Sequence, residues 1–166
     1  MSSTIGPQSM RIEPVRHDTV AHAVQLGKEV IDQSQLGIIG PDFDWDHSLA
    51  TVRSYVDNPN QYMRLAVDDD DSVLGFVGGR VVQFFHSPQL MGVEDVWYVR
   101  ETVEGRAKIG MALMRGFVSW ALDAKKALFV QSGDIAGINS EAVWALYNHM
   151  GFTRFGSIYK YTRRTV

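Results

Sequence analysis

A possible anion-binding site lies where a predicted strand runs through a short turn into a predicted helix. The strand covers residues 93–99, and the helix starts near Gly105. A helix start presents free backbone N–H groups and the positive end of the helix dipole, and both favour a phosphate group. Arg106, Lys108 and Arg115 would add positive charge. An ordinary strand-to-helix connection with solvated basic residues would look the same, so this segment alone leaves both interpretations open.

The second segment that could carry chemistry is 139–152, Asn-Ser-Glu-Ala-Val-Trp-Ala-Leu-Tyr-Asn-His-Met-Gly-Phe. Asn139 can cap a helix and Gly151 can end it, with apolar residues at helical spacing between them. Tyr147 lies one residue off that apolar stripe. Its hydroxyl is a donor at neutral pH and could supply a proton, although a half-buried packing tyrosine is the alternative. The five histidines show no metal-ligand spacing and cysteine is absent, so no metal is expected.

These segments belong to a chain whose second half alternates strands and helices. The predicted helices cover 19–31, opened by Asp18, and then 46–58, 105–125 and 139–149. The predicted strands cover 10–15, 61–67, 73–85, 91–99, 127–131 and 152–164, the last as one bent strand or two short ones. An antiparallel middle followed by strand-helix-strand-helix-strand predicts a mixed sheet with helices on both faces.

The composition is that of a single globular domain. The chain has 166 residues, of which 45% are hydrophobic and 21% charged. We expect one domain over residues 10–166, preceded by a flexible leader at 1–9 that lacks the apolar segment of a secretory signal. No apolar run is long enough to span a bilayer, and the net charge of -3 creates no basic field. We therefore expect a cytoplasmic protein with neither a membrane nor a nucleic-acid partner.

The pattern Asn-x-x-Ala-x-x-x-Leu-Tyr-x-x-x-Gly-Phe over 139–152 closely resembles the acetyl-CoA-binding end of the GNAT superfamily of N-acyltransferases. Residues 109–114, Ile-Gly-Met-Ala-Leu-Met, look like the tail of that family's pyrophosphate loop and helix. In element order the resemblance covers about residues 10–164. It implies an α+β fold with a mixed, mostly antiparallel sheet of six or seven strands and about four helices, splayed between the fourth and fifth strands.

The resemblance also implies an acetyl-CoA-dependent enzyme that acetylates a primary amine of a small molecule, peptide or protein by direct attack. Tyr147 matches the tyrosine that commonly protonates the departing thiolate. Glu94 and Asp95 lie on the strand where many family members carry a carboxylate. Because adjacent strand residues point to opposite faces, at most one of them can lie beside the thioester, and Glu94 is favoured as the general base. A surface role for either carboxylate and a base acting through water stay open. The implied cofactor-binding residues are Trp97, Tyr98, Val99, Gly105, Arg106, Ala107, Lys108, Ile109, Gly110, Met111 and Asn139.

One loop departs from the family pattern Arg/Gln-x-x-Gly-x-Gly/Ala. Alignment on Gly110 places Gly105 and Lys108 where the Arg/Gln and the first glycine belong. This departure leaves open a family-fold protein that has lost catalysis and works as a binding or structural module. A toxin that acetylates aminoacyl-tRNA fits the length and fold, but the acidic net charge disfavours it. Dimers are common in the family, so a homodimer is also open.

Overall fold

The computed structural model describes residues 10–34, 42–134 and 137–156. Within these ranges the chain forms an α+β fold with one mixed sheet of five strands and four α-helices. The strands are β1 (Arg11–Pro14), β2 (Gln61–Val67), β3 (Val73–Phe84), β4 (Ser87–Val99) and β5 (Val130–Gln131). The helices are α1 (Val20–Gln33), α2 (Trp45–Asp57), α3 (Arg106–Ser119) and α4 (Ser140–His149). None of the helices in the described ranges is both long and apolar enough to cross a membrane.

The sheet has the simple order β1-β2-β3-β4-β5. The first four strands run antiparallel to their neighbours, and β5 lies parallel to β4. The acidic turn between β2 and β3 is closed by Asp68, whose Oδ1 accepts the N–H groups of Asp70 and Ser72. An aspartate that binds nearby backbone donors in this way stabilises a tight turn. These hydrogen bonds fix the conformation of the turn that joins β2 to β3.

Two apolar cores lie on opposite faces of the sheet. Helices α1 and α2 cover one face, where Leu26 and Leu65 are fully buried. Helices α3 and α4 cover the other, where Leu113 and Phe117 are fully buried. Gly79 of β3 permits the second packing, because a Cβ atom there would overlap the Phe117 ring. The sheet is therefore a buried middle layer between two helical layers.

The edge of β4 that faces β5 is only partly paired. The two strands pair at Gly92 with Val130 and at Val93 with Gln131, and β5 ends there. On the other side of β4, Asp95 has no partner in β3, since Glu94 lies opposite Gly79 and Val96 lies opposite Gly78. Such a one-residue insertion is a β-bulge, which bends the strand and re-aims its side chains. The part of β4 after the bulge has no strand partner on this side within the described residues.

Several predicted elements differ from the observed ones. The described residues contain five strands, so the expected six or seven are not confirmed. The strand predicted over 127–131 is reduced to Val130–Gln131, and 152–156 form no strand. The rest of that last prediction, like the leader at 1–9, lies outside the described residues. Helix α3 ends at Ser119 and continues as one π-helical turn, Trp120–Ala124.

The two helix starts predicted from aspartates also shift by a residue or two. Thr19, rather than Asp18, precedes α1, and its side chain makes no capping hydrogen bond. Helix α2 is capped by Asp44 instead of being opened by Asp46. The Asp44 Oδ1 accepts the N–H of His47 at 2.9 Å, which satisfies one free donor of the first turn.

Candidate active site

Glu94 and Tyr147 meet through the side chain of Ser132. The Ser132 Oγ donates to Glu94 Oε2 at 2.7 Å and lies 2.5 Å from the Tyr147 hydroxyl oxygen. The backbone N–H of Gly133 also donates to the Glu94 carboxylate. The structure therefore joins the predicted base and the predicted acid in one hydrogen-bonded chain.

The sheet places two of these three residues together. Val93 and Gln131 form the last pair between β4 and β5, and Glu94 and Ser132 are the residues that follow them. Parallel strands carry their next residues in the same direction, so the two side chains emerge side by side. The bulge at Asp95 lies directly beyond and ends the regular pairing with β3. Glu94 and Ser132 thus lie at the point where pairing between β4 and β5 ends.

Helix α4 brings the tyrosine to the same place. The ring of Tyr147 packs 5.3 Å from Trp97 of β4 and 5.1 Å from Phe152, centroid to centroid. Gly151, with φ of +88°, ends the helix in the left-handed conformation that glycine adopts readily. The chain then turns so that the Phe152 N–H donates to the Tyr147 carbonyl at 2.9 Å. The Gly-Phe pair that ends the helix therefore packs the Phe152 ring against the tyrosine ring.

The carboxyl group of Glu94 has a higher pKa than an ordinary glutamate. Burial raises the pKa of Glu94 to about 7, and the negative charges of Asp95 and Asp134 act in the same direction. The hydrogen bonds from Ser132 and Gly133 lower it, but they do not offset the loss of solvation. A carboxyl group with a pKa near neutrality can accept and release a proton under physiological conditions.

Tyr147 is held in its protonated form. Burial raises the pKa of its hydroxyl above the ordinary value of 10.0, and the nearby charge of Glu94 raises it further. The hydrogen bond with Ser132 lowers it by less. The group is consequently a proton donor at neutral pH, and one whose phenolate would be quickly reprotonated.

Asp95 belongs to a separate polar cluster on the α2 side of the sheet. Its Oδ2 accepts the Tyr55 hydroxyl at 2.6 Å, and its Oδ1 is paired with Arg80. Burial and the Asp95 charge raise the pKa of Tyr55, so this hydroxyl also stays protonated. The two adjacent carboxylates thus contact different groups, and only Glu94 reaches Tyr147 through a hydrogen-bonded partner.

At the start of α3, fewer backbone N–H groups are free to bind a ligand than the sequence predicted. Gly105 precedes the helix with φ of +70°, and α3 begins at Arg106. The N–H groups of Lys108 and Ile109 already donate to the Gly105 carbonyl at 2.9 and 3.3 Å. The free first-turn donors are therefore those of Gly105, Arg106 and Ala107. The cofactor contacts expected from Gly105 to Gly110 stay a prediction, for which these three donors are the ones not used inside the helix.

The deeper residues of that segment serve packing. Ile109 and Gly110 are buried, and the Gly110 carbonyl accepts the Trp97 indole N–H at 3.0 Å. A Cβ atom at Gly110 would lie 3.2 Å from the Trp97 ring, closer than ordinary contact. Met111 is a half-buried residue inside α3. The glycine therefore lets α3 approach β4, and the predicted cofactor contacts of Ile109, Gly110 and Met111 stay a prediction.

The backbone of β4 presents alternate residues to its unpaired edge. The Arg100 N–H donates to the Leu74 carbonyl of the β3 side at 2.9 Å. Because N–H groups alternate along a strand, those of Trp97 and Val99 point away from β3, toward the unpaired edge. The Tyr98 amide faces β3, and its hydroxyl donates to Gln33 of α1 at 3.1 Å. Of the three residues predicted on this strand, Trp97 and Val99 thus present their N–H groups to the unpaired edge, and Tyr98 does not.

Asn139 precedes α4 in a left-handed conformation, with φ of +51°. Its carbonyl accepts the Val143 N–H at 3.2 Å, but its side chain forms no capping hydrogen bond. The predicted position at the helix start is therefore correct, whereas the predicted side-chain cap is not formed. The side chain is exposed at the start of the helix that carries Tyr147.

Ser132 is a residue of the candidate site that the sequence did not predict. A lone serine has no sequence signature, and its partners are 38 and 15 residues away along the chain. The available signal was its position directly after a short apolar strand, since polar residues that follow parallel strands often line sites.

No protein-family model and no curated protein sequence matches this chain. Solved structures do resemble it. The aminoglycoside acetyltransferase AAC(6')-Iy, in complex with a CoA-containing bisubstrate analogue, matches with a TM-score of 0.73 and 16% identity, over 95% of this chain and 99% of that one. The aminoglycoside 6'-N-acetyltransferase AAC(6')-Ih from Acinetobacter baumannii matches with a TM-score of 0.71 and 14% identity, over 95% and 100%.

A predicted acetyltransferase from Clostridium acetobutylicum, crystallised with acetyl-CoA, also matches, with a TM-score of 0.71 and 12% identity, over 93% of this chain and 96% of that one. These likenesses extend over nearly the whole length of each chain, so they concern the complete architecture and not a shared motif. The chain shares the α+β fold of these acetyltransferases, which is the fold class that the resemblance of its sequence to the GNAT superfamily implied.

Proposed function

We propose that the protein is an N-acetyltransferase that moves an acetyl group from acetyl-CoA to a primary amine. The observation that carries this proposal is the chain Glu94–Ser132–Tyr147 beside the unpaired edge of β4. It supplies a base with a pKa near 7 and a protonated acid within one site, which acyl transfer to an amine requires. The fold shared with acetyltransferases supports the same chemistry.

The residues beside this site fit acetyl-CoA. The N–H groups of Trp97 and Val99 are suited to the amide-rich pantetheine arm and to the thioester oxygen. The start of α3 would hold the pyrophosphate through the free donors of Arg106 and Ala107, with the charge of Lys108 nearby. Asn139 would contact the arm from the other side of the gap. Bound acetyl-CoA would supply the activated thioester carbonyl.

The chain's own groups would then manage the protons. The amine nitrogen attacks the thioester carbon, so a C–N bond forms and the C–S bond breaks. The N–H proton passes to Glu94, and the Tyr147 hydroxyl gives a proton to the departing sulfur. The donors on β4 would stabilise the negative charge on the carbonyl oxygen. Atoms and charge balance, because one proton leaves nitrogen and one reaches sulfur.

We further propose that the acceptor is a cationic small molecule or peptide. Two carboxylates lie at this site, those of Glu94 and Asp134, and the charge of Asp134 raises the pKa of Glu94. Such a negative field attracts amines that carry additional positive charges. Aminoglycosides, named as substrates of the similar AAC(6') enzymes, and linear polyamines are therefore the first compounds to test.

The test combines binding with turnover. Calorimetry should show acetyl-CoA binding, and a thiol-release assay over a panel of cationic amines should show turnover. Replacing Tyr147 by phenylalanine should lower kcat by about 100-fold or more with the acetyl-CoA Kd unchanged, because only the transferable proton is lost. Tyr62→Phe, in the buried core of the same face, is the matched control and should keep full activity.

Three outcomes would contradict parts of the proposal. A folded protein that fails to bind acetyl-CoA would exclude the cofactor assignment. A protein that binds acetyl-CoA but transfers nothing to any amine of the panel would favour the alternative of a binding module. Equal activity in Tyr147→Phe and the wild type would exclude Tyr147 as the acid.

A further inference from the structure

We propose that Ser132 relays a proton from Glu94 to Tyr147, so that the base regenerates the acid within each catalytic cycle. This inference rests on the proposed acetyltransferase function. In the simplest acid–base scheme, Glu94 ends the reaction protonated and Tyr147 ends it as a phenolate. Each group would then exchange a proton with solvent before the next cycle. A hydroxyl placed between them removes that requirement.

The geometry suits a relay. The Ser132 oxygen is 2.7 Å from Glu94 Oε2 and 2.5 Å from the Tyr147 oxygen, and both distances are within hydrogen-bond range. A serine hydroxyl has one donor and two acceptor positions, so it can donate to one neighbour while it accepts from the other. The three side chains are half-buried, with the ring of Trp97 packed against Tyr147. A bulk-water route to the tyrosine is thereby restricted on that side.

The direction of the hydrogen bonds depends on the charge of Glu94. While Glu94 is ionised, Ser132 donates to it and Tyr147 donates to Ser132, which turns the tyrosine proton away from a thiolate. Once Glu94 has taken the proton of the amine, it donates to Ser132, Ser132 donates to Tyr147, and the tyrosine proton is released toward sulfur. The acid therefore becomes available only after the base has acted.

The proton count closes without any additional reactant. The amine N–H proton moves to Glu94, and the Tyr147 proton moves to the sulfur. The Ser132 proton then moves to the Tyr147 oxygen as the Glu94 proton moves to the Ser132 oxygen. Glu94 ends ionised, and Ser132 and Tyr147 end protonated, as they began. The transfer is favourable because the pKa of Tyr147 is raised well above that of Glu94.

The experiment uses the full chain with the acceptor that gives the best turnover, and compares Ser132→Ala with Ser132→Thr. Alanine removes the hydroxyl and should lower kcat by about 10- to 100-fold, with the acetyl-CoA Kd and the acceptor KM unchanged. Threonine keeps the hydroxyl and should restore most of the lost rate. Circular dichroism and urea unfolding establish that both variants are folded.

Two further measurements separate a relay from a structural role. In mixtures of light and heavy water, the wild-type rate should depend on deuterium content in a curved manner, because several protons move together. The Ser132→Ala rate should depend on it linearly. The double variant with Tyr147→Phe should be no slower than Tyr147→Phe alone, because the relay acts only through the tyrosine.

Three results would overturn the relay. These are an unchanged kcat in Ser132→Ala, a threonine variant as slow as the alanine variant, and losses that multiply in the double variant. All three require an active wild type, so they leave the proposed function in place. An inactive wild type would instead overturn the proposed function and the relay together.

Discussion

Replacing Glu94 by glutamine should change how the stability of the protein depends on pH. The pKa of Glu94 is about 7 in the folded protein, against an ordinary value of 4.5. Between these values the folded state binds more protons than the unfolded state. Stability contributed by this group is therefore complete below about pH 4.5 and is lost as the pH rises through 7. Glutamine has nearly the same shape but does not titrate.

The two pKa values determine the size of the effect. Between pH 5 and pH 8 the free energy of unfolding of the wild type should fall, relative to Glu94→Gln, by at most about 2.5 kcal/mol. Partial exposure of the side chain will reduce this figure. The contribution of every other titrating group cancels in the difference, provided that the substitution leaves those groups in place.

Urea unfolding at pH 5, 6, 7 and 8, at constant ionic strength and followed by tryptophan fluorescence, measures this difference. The measurement needs no acceptor and no acetyl-CoA, so it tests the electrostatics of the site separately from the proposed activity. A difference that stays constant over this range would show that Glu94 titrates normally. A wild type that gains stability relative to the variant as the pH rises would show that its pKa is lowered, and either result would refute the reasoning.

Two other predictions concern the framework of the site. Gly79→Ala should lower the free energy of unfolding by about 1–3 kcal/mol, because its Cβ would overlap the Phe117 ring and the Val93 carbonyl. Gly27→Ala on α1, which has open space around it, should be neutral or stabilising. Equal effects of the two substitutions in urea unfolding would contradict this prediction. Arg100→Lys should cost about 1 kcal/mol, because lysine cannot reproduce the two bonds of 2.9 and 2.7 Å to Glu29. Thermal unfolding that matches the wild type would contradict the second.

The long elements could be predicted because their patterns are local. In α3, Ile109, Leu113 and Phe117 recur at helical spacing, and all three are buried as that spacing predicts. Strand β2 has the predicted bounds because an Asn-Pro pair precedes it and an acidic turn follows it. Periodicity and turn residues report directly on the backbone at such positions.

The short parallel strand could not be bounded in the same way. The apolar run 127–131 reads as one strand, yet only Val130 and Gln131 pair with β4 in the regular ladder. The earlier residues make irregular contacts, with the Ala127 N–H donating to Ala121 at 2.9 Å and the Leu128 N–H to Leu90 at 2.9 Å. The neighbouring strand decides which residues of an apolar run form strand pairs, so the sequence of the run alone does not predict them.

The family motif predicted which tyrosine lies at the candidate site, but it did not predict the hydrogen bonds that this tyrosine makes. Tyr147 follows from the pattern that ends in Gly-Phe, and its environment suits a proton donor. The hydroxyl that joins it to Glu94 lies on a different element, where nothing in the local sequence marks it. The bulge has no sequence signal either, because the extra residue is an aspartate and not a glycine, which would have suggested an irregular strand.

That bulge determines which residues of β4 present their N–H groups to the unpaired edge. In a regular strand, the residue after Glu94 would pair with β3, and the alternation of the backbone would continue unbroken. The Gly92 N–H, which donates to Phe129 at 2.9 Å, and the Arg100 N–H, which donates to Leu74, show that even-numbered amides face β5 before the bulge and β3 after it. The extra residue thus turns the N–H groups of Trp97 and Val99 toward the edge where Glu94 meets Ser132. Without it, the N–H groups of Val96 and Tyr98 would face that edge in place of those of Trp97 and Val99.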